Sequence, residues 1–240
     1  MLAGVLLGGM AAIKVPLGLF GVYLLARGHV RAFLGFVGVI VGLGLISLLS
    51  YGWGLHEAWY GGCIETYASK SVSGNNVQSL TGFLARAAGG DILDWKPRPV
   101  EGDFALLVRS LSFVVVAMVV AVFIWAGRPR DHRELGLELG VLAVVILVIS
   151  PLTWTHYYLF ALFPLLLAVT GTIKLPEGRV WLVVTAGSGL LLSLPLVAFF
   201  FTQPWMSFIY NRILASYHFY GAVLFLAVLL AARIRQKSIR

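Results

Sequence analysis

The chain has 240 residues, of which 60% are hydrophobic and 12% are charged, with a mean hydropathy of +0.92. Soluble domains carry about 25% charged residues, so there are too few polar side chains to cover a globule in water, and we expect a polytopic membrane protein. The net charge of +8 does not indicate nucleic acid binding, because the basic residues stand at the ends of apolar runs, as expected for topology determinants.

Seven apolar runs predict transmembrane helices, because about 20 helical residues cross a hydrocarbon core of ~30 Å. The predicted fold class is all-α: one membrane domain over 1–240, a helical bundle with about seven transmembrane helices. One long hydrophilic segment, 51–104, follows the second helix, and its Trp53, Trp59, Tyr60 and Trp95 indicate that it rests on the membrane interface. The aromatic and polar segment 203–211 is also predicted to be interfacial. The predicted helices cover residues 2–26, 32–50, 105–126, 135–149, 153–170, 180–202 and 212–232.

Lysines and arginines are concentrated on one side of this topology. The segments 27–31, 127–134, 174–179 and 233–240 carry eleven Lys and Arg against three acids, whereas the opposite side carries four bases and six acids. The positive-inside rule predicts a multi-pass plasma (inner) membrane protein whose C-terminus is cytoplasmic and whose 51–104 loop is outside. The N-terminus would then be outside without a leading loop, which predicts a chain that is truncated and begins within a longer protein.

Lys14 lies within the first apolar run, where a charged side chain costs a few kcal/mol and usually faces a cavity or a partner. It precedes Arg27 by thirteen residues, or ~20 Å along a helix, which places it in the outer half of the membrane. Pro16 predicts a break in the helix nearby. We expect Lys14 to bind a phosphate or a carboxylate. The alternative is a side chain that extends to the membrane surface.

A polar and aromatic stretch, 150–158, separates the fourth and fifth predicted helices. Unpaired polar groups are costly in hydrocarbon, so this stretch is expected at the membrane surface or on a polar cavity. An interfacial aromatic belt explains Trp154 and Tyr157 but not the neighbouring hydroxyls and His156. His156 could relay or donate a proton, and a hydrogen-bonded structural histidine fits the residues equally well.

The 51–104 loop contains amide and hydroxyl residues, Asn76, Gln78 and Ser79, before a short predicted helix with Arg86 at its end. Ser79 is a candidate N-cap. The simplest interpretation is a capped amphipathic surface helix. The functional alternative is that the amides and hydroxyls bind sugar hydroxyls, while Arg86 binds a phosphate.

Other polar residues carry weaker indications. Arg109 and Arg212 lie at outer helix ends and favour an anionic partner, although each also fits a snorkelling side chain, whereas Glu138 and His218 are interpreted as structural. The single cysteine, Cys63, allows no intrachain disulfide. The sequence contains no Walker loop, dinucleotide fingerprint, HExxH motif or serine-hydrolase elbow. These absences argue against an ATP-driven pump and a zinc protease, and no cofactor or metal site is predicted.

Four short patterns occur in a recognisable order. They are the apolar motif Ala12-Ile-Lys14-Val-Pro16, the amide motif Asn76-Val-Gln78-Ser79-Leu-Thr-Gly82 with Arg86, the aromatic motif Ser150-Pro151-Leu-Thr-Trp154-Thr-His156-Tyr157, and the segment Ser216-Tyr217-His-Phe-Tyr-Gly221. Together they resemble the C-terminal part of glycosyltransferase family 87, the polyprenol-phosphate-mannose-type mannosyltransferases of the GT-C class, over nearly the whole chain. Val77 is an insertion in the amide motif, so that either Asn75 or Asn76 matches the family's asparagine.

The resemblance implies a metal-independent, inverting membrane hexosyltransferase. It would move a sugar from a polyprenyl-phosphate donor to a lipid or glycan acceptor at the outer face. Lys14, Arg86 and Arg109 are the implied phosphate partners, Trp154 stacks on a sugar, and His156 bonds to the acceptor or the departing phosphate. The implied substrate-binding residues are Lys14, Asn76, Gln78, Ser79, Arg86, Trp154, His156 and Tyr157.

The resemblance also implies a catalytic aspartate in the first outer loop of the family. No segment of this chain matches that loop, so the base is expected before Met1. Two alternatives stay open. One is a transporter or flippase-like protein, for which a broken helix carrying Lys14 would suit a substrate site, although no paired halves are visible. The other is a non-catalytic membrane partner, or an inactive fragment of a transferase.

Overall fold

A computed structural model describes residues 1–68, 70–199 and 201–238. The chain divides into two compact units, Met1–Ala68 and Ser69–Arg240. Helices dominate both units, and the predicted all-α class is confirmed. That the whole chain forms one membrane domain stays a prediction.

The first unit consists of α-helices, a 3₁₀ turn and a π-helical turn. A 3₁₀ turn, Val15–Gly18, separates α1 from α2, and a π-helical turn, Tyr60–Glu65, extends α3. The helices are α1 (Leu2–Ile13), α2 (Leu19–Ala26), α3 (Val30–Trp59) and α4 (Thr66–Ala68).

Glycines set how α1 and α2 pack on α3. A Cβ atom at Gly4 would lie 1.8 Å from the Ala32 carbonyl oxygen, and one at Gly8 would lie 2.5 Å from that of Phe36. These two contacts advance along both helices together, so α1 runs parallel to α3. In α2, Gly21 lies against the ring of the same Phe36, and the segment then turns directly into α3. The two short helices therefore run in opposite directions and form a hairpin.

This hairpin corrects the predicted single helix over 2–26. The chain leaves the helix at Lys14, whose backbone is extended (φ −137°, ψ 104°), and Pro16 opens the following turn because it cannot donate a backbone hydrogen bond. The expected break is confirmed. The reversal was not expected, because it depends on packing against α3.

The second predicted helix was too short. α3 and its π-helical extension continue beyond residue 50 into the segment read as the outer loop, although Gly52 (φ 73°, ψ 168°) bends the helix. Its aromatic residues were interpreted as interfacial loop residues, and tryptophan and tyrosine at a membrane interface also fit a helix.

The second unit contains seven helices in its described parts. The 3₁₀ segment Thr155–Ala161 leads into α8, and a second one, Leu214–Ser216, precedes α11. The helices are α5 (Leu80–Ala87), α6 (Gly102–Ala126), α7 (His132–Ile149), α8 (Leu162–Val169), α9 (Arg179–Ser193), α10 (Pro204–Arg212) and α11 (Tyr217–Ser238). A two-residue antiparallel pair joins β1 (Lys70–Ser71) to β2 (Arg98–Pro99).

α7 is the central helix of this unit. It begins at Asp131, whose carboxylate accepts hydrogen bonds from the backbone of Arg133 and Glu134 (2.9 and 2.8 Å), the expected satisfaction of free N–H groups at a helix start. Its residues 141–148 are all buried. α11 packs against α6, α7 and α9, so these four helices enclose the apolar interior.

Two predicted helices near the C-terminus have different bounds. The run 180–202 was predicted to be one helix, but α9 ends at Ser193 because the residue before Pro195 is driven out of the α region. Extended backbone follows. The predicted interfacial segment 203–211 is largely helical, as α10, and is separated by a 3₁₀ turn from α11, so that the long helix begins later than the predicted 212.

The membrane character of the chain is confirmed by three helical stretches that are long and apolar enough to cross a bilayer, among the described residues. They are Val30–Glu65, Gly102–Ala126 and Pro204–Lys237. Shorter apolar helices, each of 10–17 residues, accompany them. The number of crossings and the orientation stay predictions.

Candidate functional site

The amide motif and the aromatic motif lie side by side in the second unit. Although they are far apart in sequence, their backbones pair as a short antiparallel ladder. This pairing brings two independently recognised patterns into one structure. The contacts are the bridge Val77–Trp154, the hydrogen bond from Gln78 N to Thr153 O (2.7 Å) and that from Thr155 N to Asn76 O (2.9 Å).

Arg86 stabilises the loop that carries the amide motif. Its side chain is fully buried and donates to the carbonyls of Ser73 (3.2 Å), Gly74 (3.0 Å) and Val77 (2.8 Å), and also to the Ser216 hydroxyl. Among the described residues its hydrogen-bond partners are neutral oxygens. Burial lowers the pKa of Arg86 to about 10, so the guanidinium stays charged at neutral pH, and its fork of donors fixes the loop geometry.

Gln78 joins the same loop to the start of α11. Its side-chain amide donates to the carbonyls of Asn75 (2.5 Å) and Ala215 (2.6 Å), and its oxygen accepts from Phe219 N (3.3 Å). The Tyr158 hydroxyl donates to the Gln78 carbonyl (2.5 Å). The segment 216–221, the fourth sequence pattern, therefore belongs to this cluster as well.

Ser79 is the N-cap of α5, as predicted. Its hydroxyl accepts a hydrogen bond from Gly82 N (3.2 Å) and donates to the Pro151 carbonyl (3.1 Å), which links the cap to the aromatic motif. Gly82 is required here because a Cβ atom at that position would lie 2.5 Å from the Val77 carbonyl oxygen. The cap thus ties the helix start to both motifs.

The predicted site residues fall into two groups by exposure. Gln78, Ser79 and Arg86 are fully buried and bonded within the protein, and their side chains join the amide motif to its neighbours. The others reach the surface: Asn76, Trp154 and Tyr157 are half-buried and His156 is exposed. The ring of His156 lies 6.4 Å from that of Trp154 and 4.3 Å from that of Tyr157, centre to centre.

Two buried oxygens in the paired motifs have no hydrogen-bond partner among the described residues. They are Oδ1 of Asn76 and Oγ1 of Thr153, a residue whose side chain is fully buried. Buried polar atoms normally have partners, and exceptions are candidates for binding a ligand or a water molecule. Both oxygens therefore have unused acceptor capacity inside the cluster.

An apolar cavity of about 540 Å³ lies next to this cluster, beneath the extended segment after α9. Tyr217, which follows the Ser216 anchor, lines it. Two tyrosine hydroxyls satisfy the extended backbone: Tyr217 donates to Pro195 O (2.7 Å) and Tyr210 donates to Val197 O (2.5 Å). The wall is therefore nearly free of polar groups. It is formed by Leu194, Pro195, Val197, Phe199, Phe201, Tyr210, Leu214 and Tyr217.

The remaining predicted cations belong to other elements of the chain. Lys14 belongs to the first unit, at the break between α1 and α2. Arg109 is exposed on α6. Arg212 donates to the Ala87 carbonyl at the end of α5 (3.0 Å), and there it caps a helix.

Comparison with known proteins identifies the chain. The family model of glycosyltransferase family 87 matches residues 1–151, which include Lys14 and the amide motif and end within the aromatic motif. The chain belongs to glycosyltransferase family 87.

One curated relative extends this match. It is the polyprenol-phosphate-mannose-dependent alpha-(1-2)-phosphatidylinositol mannoside mannosyltransferase of Mycolicibacterium smegmatis (strain ATCC 700084 / mc(2)155), 29% identical over 198 residues. The match covers 79% of this family 87 chain and 41% of the relative, so the chain spans about two fifths of that protein's length. No solved structure matches significantly.

The sequence analysis of this family 87 chain missed three contributors to the cluster. Ser216 was noted only as part of a pattern, Thr153 was not singled out, and Trp95 was read as an interfacial residue. The nearly parallel rings of Trp95 and Trp154 lie 6.0 Å apart. The sequence does show a small hydroxyl side chain, Ser216, at the start of an apolar helix, where a polar contact is expected. It does not show the partner of that hydroxyl, because Arg86 lies 130 residues away.

Proposed function

We propose that this family 87 protein transfers a hexosyl residue, mannose by analogy with the relative, from a polyprenyl-phosphate donor to a lipid or glycan acceptor. The observation that carries the proposal is the junction of the amide motif, the aromatic motif and the 216–221 segment. Three patterns typical of the family form one hydrogen-bonded cluster. Its open side presents Asn76, Trp154, His156 and Tyr157.

The exposed residues receive the substrate-contacting roles. Trp154 stacks on a sugar ring, since aromatic side chains offer a large apolar face. Asn76, which is half-buried, contacts a sugar hydroxyl. His156 bonds to the acceptor or to the departing phosphate, and Tyr157 supports its ring. Gln78, Ser79 and Arg86 are positioning residues, because their side chains are fully buried.

The proposed reaction is a single displacement with inversion and without a metal. A base removes the acceptor hydroxyl proton, the oxygen attacks the anomeric carbon, and the bond from that carbon to the phosphate oxygen breaks. The lipid phosphate leaves with the electron pair, and a cation stabilises its charge. On the sequence resemblance alone, we propose Lys14 for that cation. The base is assigned to none of the residues named here.

The apolar cavity supports a donor with a prenyl chain. Cavities of roughly 300–1,000 Å³ hold small ligands, and the 540 Å³ cavity next to the 216–221 segment suits the isoprene units nearest the phosphate. Leu214→Trp would fill it. We expect that variant to raise the KM for a polyprenyl-phosphate donor with little change in the KM for the acceptor, and an unchanged donor KM would remove the chain from this cavity.

The activity is tested with membranes from cells that express the protein from its chromosomal gene, supplied with a radiolabelled polyprenyl-phosphate mannose. General acid–base or hydrogen-bonding groups contribute roughly 10²–10⁴-fold, so His156→Ala is expected to lose at least about tenfold activity at an equal protein level. His132, also exposed but at the opposite end of α7 from the aromatic motif, is the matched control. Nucleotide-sugar dependence in place of the lipid donor would refute the proposed donor.

The role of Lys14 is tested by comparing the transfer activities of its variants with that of a control lysine variant. We expect Lys14→Ala to lose activity and Lys14→Arg to keep part of it, whereas Lys96→Ala, in an exposed lysine of the 51–104 loop, keeps all of it. Full activity in both Lys14→Ala and His156→Ala would show that the site assignment is wrong.

The outer-face location is also a proposal, and the native cysteine tests it. Cys63 is exposed and free, in the segment proposed to lie outside. A membrane-impermeant maleimide is expected to label it in intact cells. Labelling that requires permeabilisation would reverse the topology and place the reaction on the cytoplasmic side.

A flippase-like transport function is the second candidate, favoured by the broken helix at Lys14. Interrupted membrane helices commonly line substrate sites in transporters. Reconstituted vesicles distinguish the two functions. Movement of the lipid-linked sugar between leaflets without a new glycosidic product supports transport, whereas formation of a labelled glycoside supports the transferase.

A further inference from the structure

A narrow apolar groove lies between α6 and α11, near the C-terminal ends of both helices. It has a volume of about 260 Å³ and is lined by Ala121, Val122 and Trp125 of α6 and by Ile234 of α11. Trp125 is 48% exposed and Ile234 is 40% exposed, so the lining is accessible from outside the protein. Both helices belong to stretches that are long and apolar enough to cross a bilayer. In a membrane the groove therefore meets lipid.

Lys237 places a positive charge at one end of this groove. It follows Ile234 by three residues on α11 and so shares its face. The Lys237 ammonium lies 4.2 Å from the centre of the Trp125 ring and donates to the Trp125 carbonyl, one of the carbonyls that a helix end leaves without a helical partner. An ammonium carries three donors. Because Lys237 is only half-buried, its other donors remain within reach of a ligand.

Hydrogen bonds gather further basic segments at the same end of the second unit. Arg233 donates to the carbonyl of Gly127 (2.9 Å), directly after α6, and Arg235 donates to the carbonyl of Glu177 (3.2 Å), shortly before α9. The end of α11 is thereby joined to the two segments that flank it. Their charges act on one surface.

That surface is strongly positive. The segments 127–134, 174–179 and 233–237 together carry eight Lys and Arg against three acids. Two of those acids are engaged within the protein, because Asp131 caps α7 and Glu134 lies near the guanidinium of Arg233. An anion that reaches the groove end thus meets a surplus of cations.

We propose that the groove binds an anionic phospholipid, with an acyl chain between α6 and α11 and the headgroup phosphate on Lys237 and on Arg128, an exposed arginine directly after Gly127. Basic pockets between membrane helices bind anionic headgroups, and a tryptophan at a helix end lies at headgroup depth. Small-ligand sites measure roughly 300–1,000 Å³; the smaller groove suits a stretch of one acyl chain. A zwitterionic lipid carries its own cation, which the surrounding positive charge disfavours.

This lipid is separate from the substrates of the proposed transfer. Along α11, ~25 Å separates Ile234 from Tyr217, where the helix begins next to the cluster of the sequence motifs. The bound lipid joins α6 to α11 and stabilises the helices rather than taking part in the reaction. The inference goes beyond the proposed function and does not depend on it, because lipid binding is measured without transfer.

Binding is measured by native mass spectrometry of the purified full chain in detergent, titrated in parallel with phosphatidylglycerol and with phosphatidylcholine of the same acyl chains. Because each basic residue adds to the attraction of an anionic headgroup, we expect phosphatidylglycerol to bind at least about fivefold more tightly. Lys237→Gln combined with Arg128→Gln is expected to abolish this preference, whereas Lys237→Arg keeps it. Equal affinity of the unaltered protein for the two lipids, or a preference unchanged in the double variant, would overturn the proposal.

Ile234→Trp tests the groove itself. The larger side chain fills the space for the acyl chain, so both lipids should bind more weakly by a similar factor. Because Ile234 is partly exposed, the variant is expected to fold. Unchanged affinities would show that the chain does not lie between α6 and α11.

Arg179 is the matched control, since it is an exposed arginine at the start of α9 that does not line the groove. Arg179→Gln is expected to keep the preference for phosphatidylglycerol. An equal loss in this variant would assign the effect to net charge alone and refute a defined site. Inorganic phosphate should not displace the lipid, because it cannot fill the groove, and displacement by it would refute the lipid as the ligand.

Discussion

Arg86 and Ser216, 130 positions apart in the sequence, are joined by two hydrogen bonds of 3.0 and 2.9 Å in the buried interior of the second unit. The same guanidinium also holds three backbone carbonyls of the amide loop. The loop that presents Asn76 is consequently tied to the start of α11, and its position depends on a charge buried among neutral oxygens.

Removing the Ser216 hydroxyl is expected to destabilise the protein. Ser216→Ala leaves two donor groups of a buried cation without an acceptor, at a cost of roughly 1–3 kcal/mol or more. The measurement is the thermal unfolding midpoint in a mild detergent. Ser110→Ala, at an exposed position on α6, is the control and should leave the midpoint unchanged. An equal midpoint in both variants would contradict the anchoring role of Arg86.

Exchange of Arg86 for lysine should not restore this anchor. A lysine ammonium carries a single nitrogen and cannot reach the Ser216 hydroxyl and the loop carbonyls together, as the planar guanidinium does. Arg86→Lys is therefore expected to lower the unfolding midpoint and the transfer activity in parallel. If it kept full activity, a charge at this position would suffice and the forked geometry would be irrelevant.

Gly74→Ala is expected to displace the Trp95 ring, because the added Cβ atom would lie 2.7 Å from it. The readout is near-ultraviolet circular dichroism, which reports on the packing of tryptophan rings. Gly189→Ala in α9 meets no atom within 4 Å and should leave the spectrum unchanged. An unaltered spectrum in Gly74→Ala would show that the ring is not fixed by this contact.

The loop carrying Trp95 is expected to loosen in acid. The Lys96 backbone N–H and the Arg98 guanidinium lower the pKa of Asp94 below its ordinary value of about 3.9. Stabilisation by the ionised carboxylate is therefore fully present above about pH 4 and is lost as pH falls through the lowered pKa. Hydrogen exchange of the 91–96 amides, corrected for intrinsic rate, should be pH-independent between about pH 5 and 7 and should rise in more acidic buffer.

Asp94→Asn supplies the control for that measurement. It removes the titrating group, so its 91–96 amides should already exchange faster at neutral pH, without a further acid-dependent step. Acid loosening of equal size in this variant would assign the effect to another group.

Breaking the ion pair between Glu138 and Arg233 is expected to be the most destabilising of these changes. Both side chains are fully buried, and Arg233 Nε donates to Glu138 Oε1 over 2.8 Å, with Glu134 also near the guanidinium. Glu138→Leu leaves a buried arginine uncompensated on that side, at a cost of about 3–5 kcal/mol. Replacing both partners by apolar residues, Glu138→Leu with Arg233→Met, should recover much of the loss.

The expected recovery distinguishes pairing from simple packing. Accumulation of folded protein in the membrane and the unfolding midpoint in detergent are the measurements. A double variant no better than the sum of the two single variants would indicate that the residues are not coupled.

Local features of this protein were determined by the sequence itself. The break at Lys14, the Ser79 cap and the apolar helices depend on neighbouring residues only: a proline without a backbone donor, a hydroxyl three residues before a free N–H, and runs of apolar side chains. The family resemblance was likewise readable from short patterns, and the family match confirms it.

Tertiary structure alone decided which polar residues are buried within the fold and which reach the surface. Gln78 and Arg86 read as binding residues, but their partners, Ala215 and Ser216, lie more than a hundred residues away, and these contacts turn both side chains inward. The sequence also did not predict that the chain reverses direction between α1 and α2, or that the rings of Trp95 and Trp154 lie side by side. The physical reason is the same in each case. Burial and hydrogen bonding depend on the distant segment that packs against a residue, and the residues next to it in the sequence do not identify that segment.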